Sequence, residues 1–206
     1  MVHRREVEGQ ELVLGNQGDL YGRAMTWWDH DTGSVWSQPR GEAILGPRTG
    51  QRLDLLPSSL TAWSTWQENH PETLALDVHA WSTAFRLEDM VIVVDLGTEA
   101  AAYDLQAVQA VGVVNDQLAG IDIAVAVDPT DISRWAVFDR TVEGQPIELA
   151  WQEGGLVDTE SGTMFDSVLG TSSPTSSADP SLARLPAFTS FPNDFFTFFP
   201  DGTIWD

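Results

Sequence analysis

The stretch Asp-His-Asp-Thr-Gly-Ser-Val-Trp at residues 29–36 decides how the sequence is organised, because a second stretch repeats its pattern. Residues 158–165 read Asp-Thr-Glu-Ser-Gly-Thr-Met-Phe, so acidic, hydroxyl, glycine and aromatic positions match in order. An Asp followed by Thr or Ser and then Gly is typical of a turn, in which the carboxylate accepts backbone N–H bonds and Gly takes positive φ. Both stretches are therefore predicted to be hairpin turns.

The similarity extends outward from these two stretches. Val-Glu-Gly-Gln occurs at residues 7–10 and again at 142–145, and Leu-Asp-Leu-Leu-Pro at 53–57 resembles Leu-Ala-Arg-Leu-Pro at 182–186. Self-similarity at a nearly constant spacing indicates an internal repeat. Aromatic and proline positions then follow in the same order: Trp63, Trp66 and Pro71 in the first copy, and Phe191, Phe195 and Pro200 in the second.

The repeat predicts two units, residues 1–80 and residues 81–206, and the two are unequal. A strand-rich stretch, residues 90–140, precedes the repeated part of the second unit, whereas only a few residues precede Val7 in the first. The first unit is therefore expected to be N-terminally incomplete, with unpaired strand edges near residues 2–14. The alternative is an unequal duplication that never included this stretch.

The local patterns favour an α+β fold that is mainly antiparallel β with a few short helices. Residues 90–95 form a short, β-branched apolar run, which is typical of a strand buried on both faces. A helix is predicted over residues 60–69, with Ser58 or Ser59 as its N-cap. Residues 171–181 are rich in Ser, Thr and Pro and are expected to form a mobile loop.

Charge and composition exclude several classes of function. Asp and Glu total 31 against 10 basic residues, all of them arginine, for a net charge of −21. Because nucleic-acid binding needs cations that neutralise phosphates, nucleic acid is excluded as a partner, and an anionic membrane surface is disfavoured. Adaptation to high salt and a GC-rich genome that encodes arginine in place of lysine both remain open as explanations.

Other functions are excluded by what the sequence lacks. Cysteine is absent, which excludes disulfides, thiolate metal sites and a cysteine nucleophile. No apolar run is long enough to form a transmembrane segment, and no signal peptide is present in the chain as written. Phosphate-binding, dinucleotide-binding and serine-nucleophile motifs are also missing, so no cofactor is predicted.

Four polar residues are the candidates for a metal site: Asp29, His30, Asp31 and Asp116. Carboxylates and imidazole suit divalent metals, and such a site would make the protein a metal-assisted hydrolase. The competing interpretation assigns the first three to a hairpin turn and places Asp116, with Asn115, in a turn between two strands. Two other histidines, His3 and His79, lie in segments expected to be frayed or linking.

Aromatic side chains are the candidates for a binding surface. Trp27 and Trp28 are adjacent, as are Phe198 and Phe199, so one ring of each pair is expected to point away from the core. Exposed rings flanked by acidic residues suit carbohydrate binding. The competing interpretation is that these rings, which recur at matching places in a repeat, belong to the core.

Several stretches of the sequence, the two repeated turn motifs among them, resemble a bacterial and archaeal family, domain of unknown function 3179 (DUF3179). The resemblance covers nearly the whole chain and implies a two-unit, β-rich fold. It also implies export, because proteins of this family often carry a signal peptide or lipoprotein anchor. Family members usually carry a Cys-Pro-x-Cys-like segment just upstream of the position of His3, and this chain starts after it. The matching phrases are residues 25–38, 46–50 and 56–57 with Trp63, Trp66, His70 and Pro71, then residues 113–116 with Gly120, 135–138 and 158–165.

The residues and the resemblance together predict a non-catalytic, extracytoplasmic binding or scaffold domain. A glycan or a protein is the expected partner, with glycan binding through outward aromatic rings as the sharper form. The alternatives are the metal-assisted hydrolase and a redox protein whose cysteine segment is missing from this chain.

Overall fold

The computed structural model describes residues 1–75, 86–152, 154–173 and 180–206. Antiparallel β-sheets dominate, and the helices in the described residues are short, so the predicted α+β, mainly antiparallel fold is confirmed. The predicted unit boundary after residue 80 and His79 lie outside the described residues, as do residues 174–179 of the predicted loop. No helix in the described ranges is long and apolar enough to cross a membrane.

The N-terminal part, residues 1–75, contains two small strand pairs and one four-stranded sheet. β1 pairs with β8, β2 forms a hairpin with β3, and the sheet has the order β4-β5-β6-β7. Buried apolar residues of this part form one core cluster: Val7, Leu12, Trp36, Ala43 and Leu53. The elements are β1 (Val2–His3), β2 (Glu6–Val7), β3 (Gln10–Glu11), β4 (Leu14–Tyr21), β5 (Ala24–Asp29), β6 (Val35–Ser37), β7 (Glu42–Leu45), β8 (Leu55–Leu56) and helix α1 (Trp63–Asn69).

The C-terminal part, residues 86–206, opens with a 3-10 turn at Leu87–Asp89 and has more layers. Its sheets have the orders β21-β9-β10-β22, β11-β12-β13-β20 and β16-β17-β18-β19, and β14 pairs with β15. The elements are β9 (Val91–Asp95), β10 (Ala100–Asp104), α2 (Leu105–Val111), β11 (Val113–Leu118), β12 (Ile121–Asp128), β13 (Asp131–Asp139), β14 (Thr141–Val142), β15 (Gln145–Pro146), β16 (Leu149–Gln152), β17 (Gly155–Asp158), β18 (Met164–Phe165), β19 (Ser172–Ser173), β20 (Ala183–Arg184), β21 (Phe188–Ser190), α3 (Pro192–Phe198) and β22 (Thr203–Trp205).

Strand β9 is buried on both faces, as its apolar sequence predicts. Ile92 and Val94 pack into the core cluster shared with β12, β13 and α2. Val91 and Val93 point the other way and pack with Phe195 of α3. This strand and its partner β10 therefore form a layer between helix α3 and the rest of the C-terminal part.

The N-terminal and C-terminal parts each contain the same set of internal backbone hydrogen bonds, at matching positions. The sheets β4–β7 and β16–β19 have the same antiparallel strand order, and the hairpins before them both turn on a Glu-Gly pair with positive φ. These matched contacts favour the predicted internal repeat. The matched N–H···O pairs are Leu12 to Arg5 (2.7 Å) with Ile147 to Arg140 (2.9 Å), His30 to Val13 (2.9 Å) with Thr159 to Glu148 (2.9 Å), and Leu53 to Gly41 (2.8 Å) with Leu182 to Gly170 (2.9 Å).

The β4–β5 hairpin differs in length from the corresponding hairpin of the second sheet, β16–β17. β4 has eight residues, whereas the matching β16 has four. The longer hairpin carries Tyr21 to 6.2 Å from Phe198, between ring centroids, and Arg23 to 3.6 Å from the Asp194 carboxylate. Gly22 lies at the tip with φ of 57°, and a Cβ there would clash with the Phe198 ring. The tip therefore packs against helix α3 and joins the two parts.

Two predictions about element ends are wrong. Helix α1 begins at Trp63 rather than residue 60, and its N-cap, Ala62, makes no side-chain cap hydrogen bond. The predicted cap Ser59 instead accepts a hydrogen bond from Arg184 at 3.1 Å. A contact from a distant strand thus replaces the local cap.

The predicted Asn115-Asp116 turn is also wrong, because both residues lie inside β11. The turn that follows is formed by Ala119 and Gly120, with φ of 51° and 78°. The Asn115 side chain donates to the Leu149 carbonyl at 2.7 Å and accepts from the Leu149 N–H at 3.0 Å. This amide therefore joins β11 to the edge of β16 instead of bending the chain.

The sequence predicts unpaired strand edges near residues 2–14. Residues 2–3 pair with residues 55–56, and the short hairpin of β2 and β3 follows. β4 is the first strand of its sheet and pairs on one side with β5. The corresponding strand of the C-terminal part is β16, and its edge accepts a hydrogen bond from the Asn115 side chain of β11.

Candidate functional site

The Asp29 carboxylate lies at the centre of the first predicted turn and is fully buried. It accepts hydrogen bonds from the Thr32 N–H at 2.6 Å, the Thr32 hydroxyl at 2.9 Å and the Trp36 indole N–H at 3.1 Å. The Gly33 N–H donates to the Asp29 carbonyl at 2.9 Å, with φ of 70° at Gly33. The carboxylate holds the β5–β6 turn closed, so the hairpin-turn interpretation is confirmed.

Asp158 does the same between β17 and β18. Its carboxylate accepts from the Glu160 N–H at 3.1 Å and from the N–H and hydroxyl of Ser161. The Gly162 N–H donates to the Asp158 carbonyl at 2.9 Å, matching the distance in the first turn. The repeated polar motif therefore builds the same turn twice.

Both turn carboxylates are held in the ionised form. Burial alone would raise the pKa of Asp29, but hydrogen bonds from Thr32 and Trp36, with the charge of Arg48, bring that pKa below its ordinary value. Burial also acts upward on the pKa of Asp158, and hydrogen bonds from Ser161 and Glu160 outweigh it. A carboxylate that is ionised and saturated with donors is poorly suited to proton transfer.

The other metal candidates point to separate partners. His30 stacks on Trp28, with ring centroids 4.3 Å apart and an angle of 5° between the planes. Asp31 accepts a hydrogen bond from Gln10 at 3.0 Å, and Asp116 lies in the C-terminal part. Within the ranges that the structure describes, no three His, Asp or Glu side chains gather in an arrangement that could hold a metal ion. The hydrolase alternative therefore has no geometric support in those ranges.

Asp116 has a role that the sequence did not indicate. It accepts a hydrogen bond from the Tyr103 hydroxyl at 2.8 Å, and Tyr103 is fully buried. Burial, together with the hydrogen bond and negative charge of Asp116, raises the pKa of Tyr103 far above its usual range. The pair ties β10 to β11 through a neutral phenol.

His3 lies in β1 rather than in a frayed end. Its ring packs edge-on to Trp27, with centroids 5.6 Å apart, and lies against Gly41. The matching position in β13 is Phe138, which is fully buried against Gly170. Burial, followed by the positive N-terminus, lowers the pKa of His3 to about 4, so the imidazole is neutral at pH 7. A neutral imidazole at this position thus packs where the C-terminal part has the apolar ring of Phe138.

The predicted aromatic binding residues differ in exposure. Trp27 and Trp28 are both half-buried in β5. Phe198, in contrast, is only 6% exposed, because the β4–β5 tip covers it. Phe199 is half-buried and stacks on Phe195 at 5.4 Å. The outward ring expected in the second pair is therefore not found at Phe198.

Among the tryptophans that the structure describes, the two most exposed lie on helix α1. Trp63 is 43% exposed and Trp66 is 41% exposed, and Leu60, just before the helix, is 41% exposed. His70 packs on Trp66 with ring centroids 4.0 Å apart. We call Leu60, Trp63 and Trp66 the α1 aromatic face. The spacing of these residues was visible in the sequence, but their exposure was not.

A cleft of about 460 Å³ lies between the N-terminal and C-terminal parts. Arg40 and Arg52 line one side, and Asp95, Glu99 and Asp201 line the other. Both arginines pair with the same carboxylate, that of Glu42, at 3.2 and 3.0 Å. The basic side chains are therefore already engaged by Glu42.

Comparison with known proteins identifies the N-terminal region. Residues 1–86 match the family described as "Protein of unknown function (DUF3179)". These residues, 86 of the 206, are similar to that family. No curated protein and no solved structure matches the chain.

The DUF3179 match contains the Asp29 turn, the Trp27-Trp28 pair and the α1 aromatic face. The family description assigns no function, so it leaves the role of these features open. The resemblance over residues 87–206 stays a prediction.

Proposed function

We propose that this DUF3179 protein is a non-catalytic binding or scaffold domain that holds its ligand through exposed aromatic side chains. The α1 aromatic face is the observation that carries the proposal, because two tryptophans on one short helix remain more than 40% exposed. Exposed clusters of large apolar side chains mark interaction sites more often than chance. The polar motifs give no competing site, since the Asp29 and Asp158 carboxylates are saturated by their own turns.

Glycan binding is the sharper form of this proposal, and the Trp28–His30 stack supports it. The two rings are nearly parallel and stacked face to face, and they lie on β5 and in the turn after it. Trp28 is half-buried, which fixes the ring, while His30 is exposed. The exposed His30 ring, held against Trp28 and beside the acidic Asp31, suits the apolar face and the hydroxyls of a sugar ring.

Affinity electrophoresis tests this form. The full chain is run through native gels that contain hydroxyethyl cellulose, glycol chitin or mannan, each against a gel without polysaccharide. We expect one polysaccharide to retard the chain and Trp28→Ala to weaken that binding about tenfold or more, the size of effect typical of an aromatic anchor. Phe196→Ala is the matched control, because this ring is 45% exposed and lies on helix α3, outside the Trp28–His30 pair.

The variants separate a binding site from a general loss of structure. Circular dichroism of each variant checks that the fold is retained. Equal migration with and without every polysaccharide would contradict glycan binding. Equal weakening by Trp28→Ala and Phe196→Ala would contradict the Trp28–His30 site.

We also propose where the protein acts. The resemblance to exported family members suggests a role outside the cytoplasm, where glycans and surface proteins are accessible ligands. The acidic surface, with a net charge of −21, favours solubility there.

A further inference from the structure

We propose that the α1 aromatic face is a docking surface for an apolar β-hairpin supplied by another polypeptide, in the position that β9 and β10 hold against α3. The inference rests on the proposed binding function and names its partner chemistry. The chain carries its own template for this contact, because the repeat supplies a covered and an uncovered version of one helix.

Helices α1 and α3 are built alike. Each has seven residues and an extended N-cap residue. The His70 N–H donates to the Trp66 carbonyl at 2.9 Å, and the Phe199 N–H donates to the Phe195 carbonyl at 2.9 Å. The backbone at His70 and Phe199 also agrees, with φ of −134° and −133°. The two helices therefore have equivalent backbones, and Trp66 corresponds to Phe195.

The two helices differ in the residues that pack over the matching positions. Phe195 is 1% exposed, because Val91, Val93 and Ala102 of the β9–β10 layer pack against it. Trp66 occupies the matching position on α1 and is 41% exposed. A side chain that forms a core in one copy is thus left at the surface in the other.

The backbone before each helix differs in the same way. Before α3, β21 pairs antiparallel with β9, with Phe188 opposite Val93 and Ser190 opposite Val91. Residues 59–61 match β21 but form no strand. An added strand along these residues would place its side chains over the α1 aromatic face, as β9 does over α3.

The template also defines the chemistry of the partner. The side of the β9–β10 layer that meets α3 is made of Val91, Val93 and Ala102, which are small or β-branched and fully buried. A second copy of this chain cannot offer that surface, since its own β9 is enclosed. Association of two copies, each with a net charge of −21, is also opposed by repulsion. A separate hairpin with valine and alanine on one face fits best.

A peptide-binding experiment tests the docking surface. The probe is a fluorescein-labelled synthetic peptide with the sequence of residues 88–106, which includes β9 and β10, titrated with the full chain and followed by fluorescence anisotropy. We expect saturable binding, absent for a scrambled peptide, and about tenfold or more weaker for Trp66→Lys. Phe196→Lys, which changes an exposed ring on the covered helix, is expected to leave the affinity unchanged.

Each other outcome overturns the inference in a distinct way. No saturable binding would reject the hairpin partner, and retention on a polysaccharide would then leave the proposed binding function standing. Equal weakening by Trp66→Lys and Phe196→Lys would reject the site. Dimers in sedimentation velocity that Trp66→Lys dissociates would show that a second copy covers the face.

Discussion

Replacing Trp36 with alanine is expected to lower the free energy of unfolding by about 3–5 kcal/mol, the range for a large ring lost from a packed core. Trp36 is fully buried and packs with Val7, Leu12 and Leu53. Its indole N–H also donates to Asp29, so the substitution removes a donor from a buried carboxylate. Urea unfolding followed by circular dichroism measures the change.

Trp36→Phe is the matched control, because Phe165 holds the corresponding place in the C-terminal part and is also buried. This variant keeps an aromatic ring and loses the N–H bond, so we expect a smaller loss of about 1–2 kcal/mol. A loss below about 1 kcal/mol for Trp36→Ala would contradict the packing described for this core.

Asp29→Ala is expected to lower the free energy of unfolding by about 2–4 kcal/mol, because it removes the hydrogen bonds from Thr32 and leaves the buried Trp36 indole N–H without an acceptor. Asp31→Ala is the control, since Asp31 is exposed and accepts one bond from Gln10. We expect a change within about 0.5 kcal/mol for this surface substitution. Equal stability of the two variants would show that the turn does not depend on the Asp29 carboxylate.

The stability of the wild-type chain should also depend on Asp29 at acid pH. Because folding lowers the pKa of Asp29, its contribution is complete above the unfolded-state pKa and is lost as the pH falls through the folded-state pKa. Asp29→Ala should therefore lose less stability on acidification than wild type does. Urea unfolding at pH 7 and at pH 3 compares the two, and an identical acid loss in both would contradict this assignment.

Local chemistry in the sequence predicted several elements correctly. The Asp-x-x-Thr/Ser-Gly pattern identified both hairpin turns, since the carboxylate and its donors lie within a few residues of each other. The apolar β-branched run identified β9 as buried on both faces. The same kind of local contact caps α2, where the Asp104 carboxylate accepts a hydrogen bond from the Ala107 N–H at 2.8 Å.

Features set by distant contacts could not be predicted in the same way. Asn115 has the composition of a turn residue, but its amide pairs with the backbone of Leu149, far along the chain. Phe198 is covered by the tip of a hairpin from the N-terminal part. The exposure of Trp66 follows from a strand layer that covers α3 and not α1. Periodicity within either helix contains no information about that layer.

Hydrogen–deuterium exchange of helices α1 and α3 in the free chain tests the central claim most directly, namely that two equivalent helices differ in their cover. Amide protection rises with burial and local packing. We expect the amides of α1 to exchange about a hundredfold or more faster than those of α3, as expected for an exposed helix beside a packed one. Equal protection of the two helices would contradict the account, because α1 would then already be covered within the chain.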